Sequence, residues 1–280
     1  MVKGTTNLVG IIGFPVSHSL SPTMHNAAFR ALNMDWKYVP LSVRPQNVPD
    51  ALKGLIALGF RGANVTVPHK EKVTPYLNDI SADAQQIGAV NTILVQEDTL
   101  SGFNTDWSGF LNHLTEIGFD PSGAKALILG SGGSARAVSY SLCQRGADIS
   151  ILSRNTGTAG LIIDELSSQS AQNRIGSISA ESLRDSARDF DLVVNTTPLG
   201  MTPLEELSPW PHDIGFPRRA LAYDLVYNPA KTRFLEIAED SGALAVNGLG
   251  MLVHQAAEAF KIWTDREAPV HVMKEAILSC

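Results

Sequence analysis

Lys70 closes the run GANVTVPHK (62–70), a β-branched stretch stopped by Pro68. In open α/β sheets, ligands bind beyond the carboxyl ends of the strands. A lysine placed there can hold or transfer a proton at a substrate oxygen, and Thr66 can face the same cleft. Taken by itself, Lys70 reads equally as a lysine at a helix start, on a solvated face with Glu71 and Lys72. Asn104-Thr105-Asp106 leads into a helical run, where Asp106 has the ordinary alternative of an N-cap. Asn91, in GAVNT, has the alternative of a strand-end amide that satisfies backbone. Ser17, Ser19 and Ser21 lie between a strand and a helix. Hydroxyls at a helix N-terminus can bind a small carboxylate, while Ser21 ahead of Pro22 also has the pattern of an N-cap. His18, His25 and His69 lack the spacing of metal ligands, so no metal is expected, and His69 beside Pro68 is expected at the rim of the cleft.

A second group of residues points to a nucleotide. Gly130-Ser131-Gly132-Gly133-Ser134-Ala135-Arg136 follows the apolar strand AKALILG (124–130) and opens a helix. Glycines there permit a tight turn and let the backbone approach a pyrophosphate, and the helix N-terminus supplies free N–H groups. The next strand, DISILSR (148–154), ends in Ser153-Arg154-Asn155 with no acid. An Asp or Glu there would receive the ribose 2′-hydroxyl of NAD, whereas a guanidinium matches the 2′-phosphate of NADP. NADP is therefore favoured over NAD, with a glycine-rich turn that holds no ligand and a solvated Arg154 as the ordinary alternatives.

Such residues need strands alternating with helices to position them. Strand-like runs occur at 8–15, 36–43 and 62–68, with helices from Ser21 and over 48–60. The runs 89–95 and 100–106 can pair as a hairpin across Glu97-Asp98. Beyond them, strands at 124–130, 148–154, 191–198, 220–226 and 243–248 alternate with helices, and two helices, 250–264 and 269–279, close the chain. The alternation argues for the α/β class with a parallel sheet, and 280 residues suit two domains. Residues 203–219, with four prolines, read as one long surface loop.

Composition narrows the function further. With 44% hydrophobic residues and a mean hydropathy of +0.02, the chain can bury a sizeable core. Twenty-two basic against 28 acidic residues give a net charge of −6, so no nucleic-acid footprint is visible. An anionic substrate then requires a local cluster of donors. The apolar run Leu8–Val16 falls short of the ~20 residues that cross a bilayer and lacks a cleavage-site pattern after it. Cys143 and Cys280 make no disulfide framework, which suits the cytoplasm; Cys143 reads as a core residue.

The segments SHSLSPTMHN, GANVTVPHKE, GAVNT, NTD, GSGGSAR, YDLVYNP and NGLGMLVHQAAEAF occur in this order over roughly residues 9–265. Together they resemble the shikimate dehydrogenase family (shikimate/quinate dehydrogenases), NADP-linked enzymes of aromatic amino-acid biosynthesis. The resemblance implies a substrate domain of residues 1–105, completed by C-terminal helices 249–280, and a Rossmann-type dinucleotide domain of residues 106–248. It implies the reversible reduction of 3-dehydroshikimate to shikimate on the chorismate pathway. Lys70 and Asp106 match the catalytic pair. Ser19 and Ser21 match the carboxylate-binding serines. Thr66, Asn91 and Gln255 match residues that bind ring hydroxyls, and Tyr227 matches another substrate contact. Gly130, Ser131, Gly132, Gly133, Ser134 and Ala135 match the phosphate turn, and Leu225 and Gly248 match positions near the nicotinamide. Two departures stand out. Ser153-Arg154-Asn155 replaces the usual Asn-Arg-Thr, and Ala82 stands where many members carry an acid, with Asp83 beside it.

On this reading Lys70 donates a proton to the developing alkoxide while Asp106 orients it, and the partners are small molecules, the protein being a monomer or homodimer. An NAD-dependent quinate or shikimate dehydrogenase is the rival enzyme, disfavoured by the missing acid near Arg154. A non-catalytic metabolite sensor on the same scaffold would not need the lysine–aspartate pair, and a methyltransferase would have no use for the lysine.

Overall fold

A computed structural model describes residues 2–167 and 174–278. Cys280 and the last residue of the expected 269–279 helix lie outside the described residues. The chain divides into two compact units, Met1–Gly109 with Leu252–Cys280, and Phe110–Met251. Among the described residues, no helix is long and apolar enough to cross a membrane.

The first unit contains β1 (Asn7–Gly13), α1 (Ser21–Ala31), β2 (Trp36–Ser42), α2 (Val48–Ala57), β3 (Phe60–Val65), β4 (Asp79–Ile80), α3 (Ala82–Ile87), β5 (Thr92–Gln96) and β6 (Thr99–Phe103). Its sheet runs β2-β1-β3-β5-β6-β4. β1 is parallel to β2 and β3, and β5 is antiparallel to β3 and β6. The β5–β6 pair is the expected hairpin, and Glu97 in its turn takes φ +52°. One core cluster gathers Ile12, Leu52, Leu55, Ala63, Val65 and Ile93. A second is aromatic. His25 stacks on Tyr38 at 4.4 Å between ring centroids and lies 5.3 Å from Trp263. Among the described residues both ring nitrogens of His25 lack hydrogen-bond partners, and burial pushes its pKa down to about 3. It is a neutral core ring.

α4 (Asp106–Glu116) carries the chain into the second unit, where β7 (Lys125–Leu129), α5 (Gly133–Gln144), β8 (Asp148–Leu152), α6 (Thr156–Ser167), β9 (Ile175–Ser177), α7 (Ala180–Ser186), β10 (Leu192–Asn195), β11 (Leu221–Asp224), α8 (Arg233–Asp240) and β12 (Leu244–Asn247) follow. The sheet order is β12-β11-β10-β7-β8-β9, parallel throughout. This is the doubly wound, Rossmann-type arrangement, with its switch point between β7 and β10. Helices cover both faces of such a sheet, so Ala126–Leu129 and Leu192–Val194 are unbroken buried apolar runs. α9 (Leu249–Thr264) returns the chain to the first unit, which α10 (Val270–Leu278) completes.

Residues 203–219 form no helix or strand and are mostly exposed or half-buried, as expected of a surface loop, but the segment is anchored in the core. Trp210, Ile214 and Phe216 are buried and join Phe234 and Val193 in the core of the second unit. The Trp210 and Phe216 rings lie 4.7 Å apart, and Trp210 Nε1 donates to the Ile214 carbonyl at 2.7 Å. The prolines deny this segment a regular element but not packing. Trp210→Ala should therefore cost about 3–5 kcal/mol in urea unfolding. A loss below about 0.5 kcal/mol, the scale of a surface substitution, would show that the loop is not anchored through Trp210.

Candidate active site

In the first unit the chain beyond β3 folds into a turn, His69 N–H donating to the Thr66 carbonyl at 2.9 Å. His69 is fully buried rather than at a rim. Its Nε2 donates to the Val43 carbonyl at 2.7 Å, since a carbonyl can only accept. The next residue is thereby pinned: the Lys70 carbonyl accepts Val90 N–H at 2.9 Å. Lys70 Nζ reaches Asp106 Oδ2 at 2.6 Å, and the two side chains are only 14% and 7% exposed.

Asp106 is the first residue of α4, and its carboxylate does not serve as a cap. Oδ2 takes Lys70, and Oδ1 accepts Asn91 Nδ2 at 2.8 Å. The turn is held instead by Asn104, whose Oδ1 accepts Asp106 N–H at 3.0 Å and whose Nδ2 donates to the Ala89 carbonyl. Asn91 lies just before β5, and its orientation is determined. Its Oδ1 accepts the Thr105 N–H at 2.7 Å and the Thr92 hydroxyl at 3.0 Å, so its nitrogen faces the carboxylate. Gln255 Oε1 lies 3.5 Å from that nitrogen. Behind Thr92 stands Asn64, buried on β3, which the sequence reading missed. Asn64 Nδ2 donates to Thr92 Oγ1 at 3.0 Å, and its Oδ1 accepts the Tyr38 hydroxyl at 2.8 Å. An amide between Ala63 and Val65 on an apolar strand was the available signal.

Ser19 and Ser21 follow β1, and Thr66 follows β3, so all three sit at the carboxyl ends of neighbouring parallel strands. Ser21 is the first residue of α1 and not its N-cap; Leu20 holds that position without a side-chain bond. Ser19 Oγ accepts the Ser21 N–H at 3.3 Å. The Ser21 side chain is buried, with no partner to its hydroxyl among the described residues. Asp83 accepts the Trp107 indole N–H at 2.6 Å, tying α3 to the start of α4.

In the second unit Gly130 takes φ +115°, and a Cβ there would lie 2.7 Å from Thr196 Oγ1, so no other residue fits. Gly132 caps α5 without any side-chain bond, and Ser134 and Ala135 continue the first turn. N–H groups at the start of a twelve-residue helix, without a side-chain cap among the described residues and with open space at Gly132, fit a pyrophosphate. Ser131 and Ser153 share a hydrogen bond of 2.8 Å that ties this turn to the end of β8. Ser153 Oγ also accepts the Asn155 N–H, and Asn155 Oδ1 accepts the Thr158 N–H at 3.1 Å. Both neighbours are thus engaged, whereas Arg154 is exposed and forms no ion pair among the described residues. Gly248 follows β12 and allows a close approach: a Cβ would stand 2.2 Å from the Leu225 carbonyl oxygen. Tyr227 is half-buried on the loop after β11.

Asp224, at the end of β11, is fully buried. Burial raises its carboxyl from the usual 3.8 to about 6, against hydrogen bonds from Thr232, Val226 and Asn195 that lower it. Below about pH 4 it is protonated whether folded or not. As pH rises toward 6 the unfolded chain releases the proton first, so this group removes stability, about 1.4 kcal/mol for each pH unit between the two values. Asp224→Asn should therefore gain on the wild type by roughly 3 kcal/mol in urea unfolding between pH 4 and pH 7. Parallel stability curves for the two proteins would contradict this.

The sequence profile of the shikimate dehydrogenase substrate binding domain matches residues 11–93, and that of the shikimate 5′-dehydrogenase C-terminal domain matches residues 248–278. The shikimate dehydrogenase (NADP(+)) of Moorella thermoacetica is 48% identical over 99% of this chain and 94% of its own. That of Carboxydothermus hydrogenoformans is 44% identical over 100% of this chain and 99% of its own. The crystal structure of shikimate 5-dehydrogenase from Thermus thermophilus, in complex with NADP(H) and shikimate, has a TM-score of 0.88 at 36% identity, over 98% of this chain and 99% of that one. With relatives this similar along its whole length, the chain belongs to the NADP-dependent shikimate dehydrogenase family.

Proposed function

We infer that the protein reversibly reduces 3-dehydroshikimate to shikimate with NADPH. Residues 1–105 with helices 249–280 hold the substrate in this reading, and residues 106–248 hold the dinucleotide. The observation that carries it is the partly buried Lys70–Asp106 pair at 2.6 Å, in a chain whose relatives are named for this reaction. We also place the enzyme in the cytoplasm, as a monomer or homodimer.

Ser19 and Ser21 offer hydroxyls to the substrate carboxylate beside the start of α1. Thr66, Asn91 and Gln255 face the ring hydroxyls, and Tyr227 adds a contact. Lys70 Nζ donates its proton to the C3 oxygen as the ketone becomes an alcohol, and accepts it in the reverse direction. Asp106 Oδ2 keeps Nζ aimed, and Asn91 prevents the carboxylate from turning by holding Oδ1. Bound NADPH supplies the hydride. The uncapped turn from Gly130 to Ala135 receives its pyrophosphate, Arg154 its 2′-phosphate, and Leu225 and Gly248 line the nicotinamide side.

Lys70→Ala should lower kcat for shikimate oxidation by ~10²–10⁴, the usual loss for one acid–base group, while shikimate affinity changes only a few-fold. A variant with near-normal kcat would falsify the assignment. Arg154→Ala should raise the KM for NADP roughly ten- to a hundredfold and leave NAD almost untouched, because only NADP carries the phosphate. Both cofactors are compared at fixed ionic strength. Equal losses for the two, or a wild type that prefers NAD, would remove Arg154 as the reader of the phosphate.

A further inference from the structure

One buried carboxylate ties together the loops that follow β10 and β11. Asp224 Oδ1 accepts from Asn195 Nδ2 at 2.8 Å and from Val226 N–H at 2.9 Å, and Oδ2 accepts the Thr232 hydroxyl at 2.5 Å. The donors come from two connections and from both ends of the second. Asn195 ends β10, Val226 begins the loop after β11, and Thr232 ends that loop as the N-cap of α8. Asn195 extends the connection: its Oδ1 accepts the Thr197 N–H and hydroxyl at 2.9 and 2.7 Å, and its Nδ2 also reaches the Leu199 carbonyl at 3.1 Å. Thr196 then donates through both its N–H and its hydroxyl to the Leu129 carbonyl, directly before Gly130.

No cationic side chain pairs with Asp224 among the described residues. A buried charge held only by neutral donors is an expensive way to close a fold. It suits a place where three donors converge, because an ionised carboxylate accepts from all three without having to donate. We propose that Asp224 is a positioning residue for the nicotinamide half of the cofactor, acting through Asn195 and Thr232 on residues 196–201 and 225–231. This rests on the functional reading above. There the adenosine half lies over β7 and β8, at Gly130 and Arg154, and the nicotinamide half lies across the switch point, over β10 and β11.

The test compares Asp224→Ala, Asp224→Asn and Thr232→Val by kinetics at saturating NADP and shikimate, with folding checked by near-ultraviolet circular dichroism. Misplacing the nicotinamide should lower kcat about tenfold or more in Asp224→Ala and several-fold in Thr232→Val. Asp224→Asn keeps an acceptor for Asn195 and Val226 and can donate to Thr232 Oγ1, so it should recover to within about threefold of the wild type. The inhibition constant of 2′,5′-ADP, which carries the adenosine half alone, should stay within about twofold throughout. Folded variants with wild-type kcat overturn the proposal. So does a parallel loss of kcat and of 2′,5′-ADP affinity, which marks a general support of the unit. If Asp224→Ala does not fold, Thr232→Val decides between the same outcomes. A wild type that binds 2′,5′-ADP yet shows no turnover with shikimate overturns the parent reading, and this one with it.

Discussion

An ammonium group drawn out of water needs a negative charge beside it that cannot wander. The Lys70–Asp106 pair sets that requirement, and the first unit is arranged to meet it. β3 delivers the lysine, the start of α4 delivers the carboxylate, and the chain entering β5 delivers the amide that holds the second oxygen. The direction of every bond behind it follows from one group with no choice, the Thr105 backbone N–H. It fixes the oxygen of Asn91, which turns the nitrogen of Asn91 toward Asp106. Loss of either charge would leave the other partly buried without its partner.

The two units handle buried carboxylates in opposite ways. Asp106 has a cation, and among the described residues Asp224 has only neutral donors. In the functional reading above, the difference suits two tasks: Asp106 would address a group that exchanges a proton, whereas Asp224 fastens chain to chain. The same economy of cations extends to ligands. A protein of net charge −6 must hold an anionic substrate and an anionic dinucleotide. In the functional reading above, serine hydroxyls and the N–H groups at the start of α5 would receive them, with Arg154 and the Asp106-paired Lys70 as the positive points. Neutral donors aimed at a fixed place bind an anion without adding to the solvated charge of the surface.

The alternating architecture was legible because buried parallel strands such as Ala126–Leu129 are continuous apolar runs and their turns carry glycine. The site was legible in part. Lys70, Asp106 and Asn91 stood out as polar residues at element ends, but composition and spacing allowed Asp106 to be a cap and Lys70 to be solvated. Only the tertiary fold brings residues 70, 91, 106 and 255 together. Asn64 and Tyr38 escaped notice because a single polar group inside a strand has no period to reveal it. Residues 203–219 form the expected loop, but its anchoring went unseen. Their prolines advertise a loop, while Trp210 and Phe216 reach the core without any repeating pattern. His69 misled because its neighbour Pro68 is exposed, whereas its own ring turns inward to Val43.

The division of the chain also dictates an order of assembly. The second unit is one continuous stretch, Phe110–Met251, whereas the first is interrupted by it. The indole of Trp263 donates to the carbonyl of Ile93, two groups 170 residues apart in the chain. Phe260 and Trp263 also cover the rings of His25 and Tyr38. On a ribosome, synthesising from the amino end, the earlier sheet emerges with that aromatic face bare. It stays so while the whole nucleotide-type unit is made. The sheet that bears Lys70 is thus the first to be translated and the last to be sealed, and its exposed rings are the surface that a nascent-chain chaperone would meet.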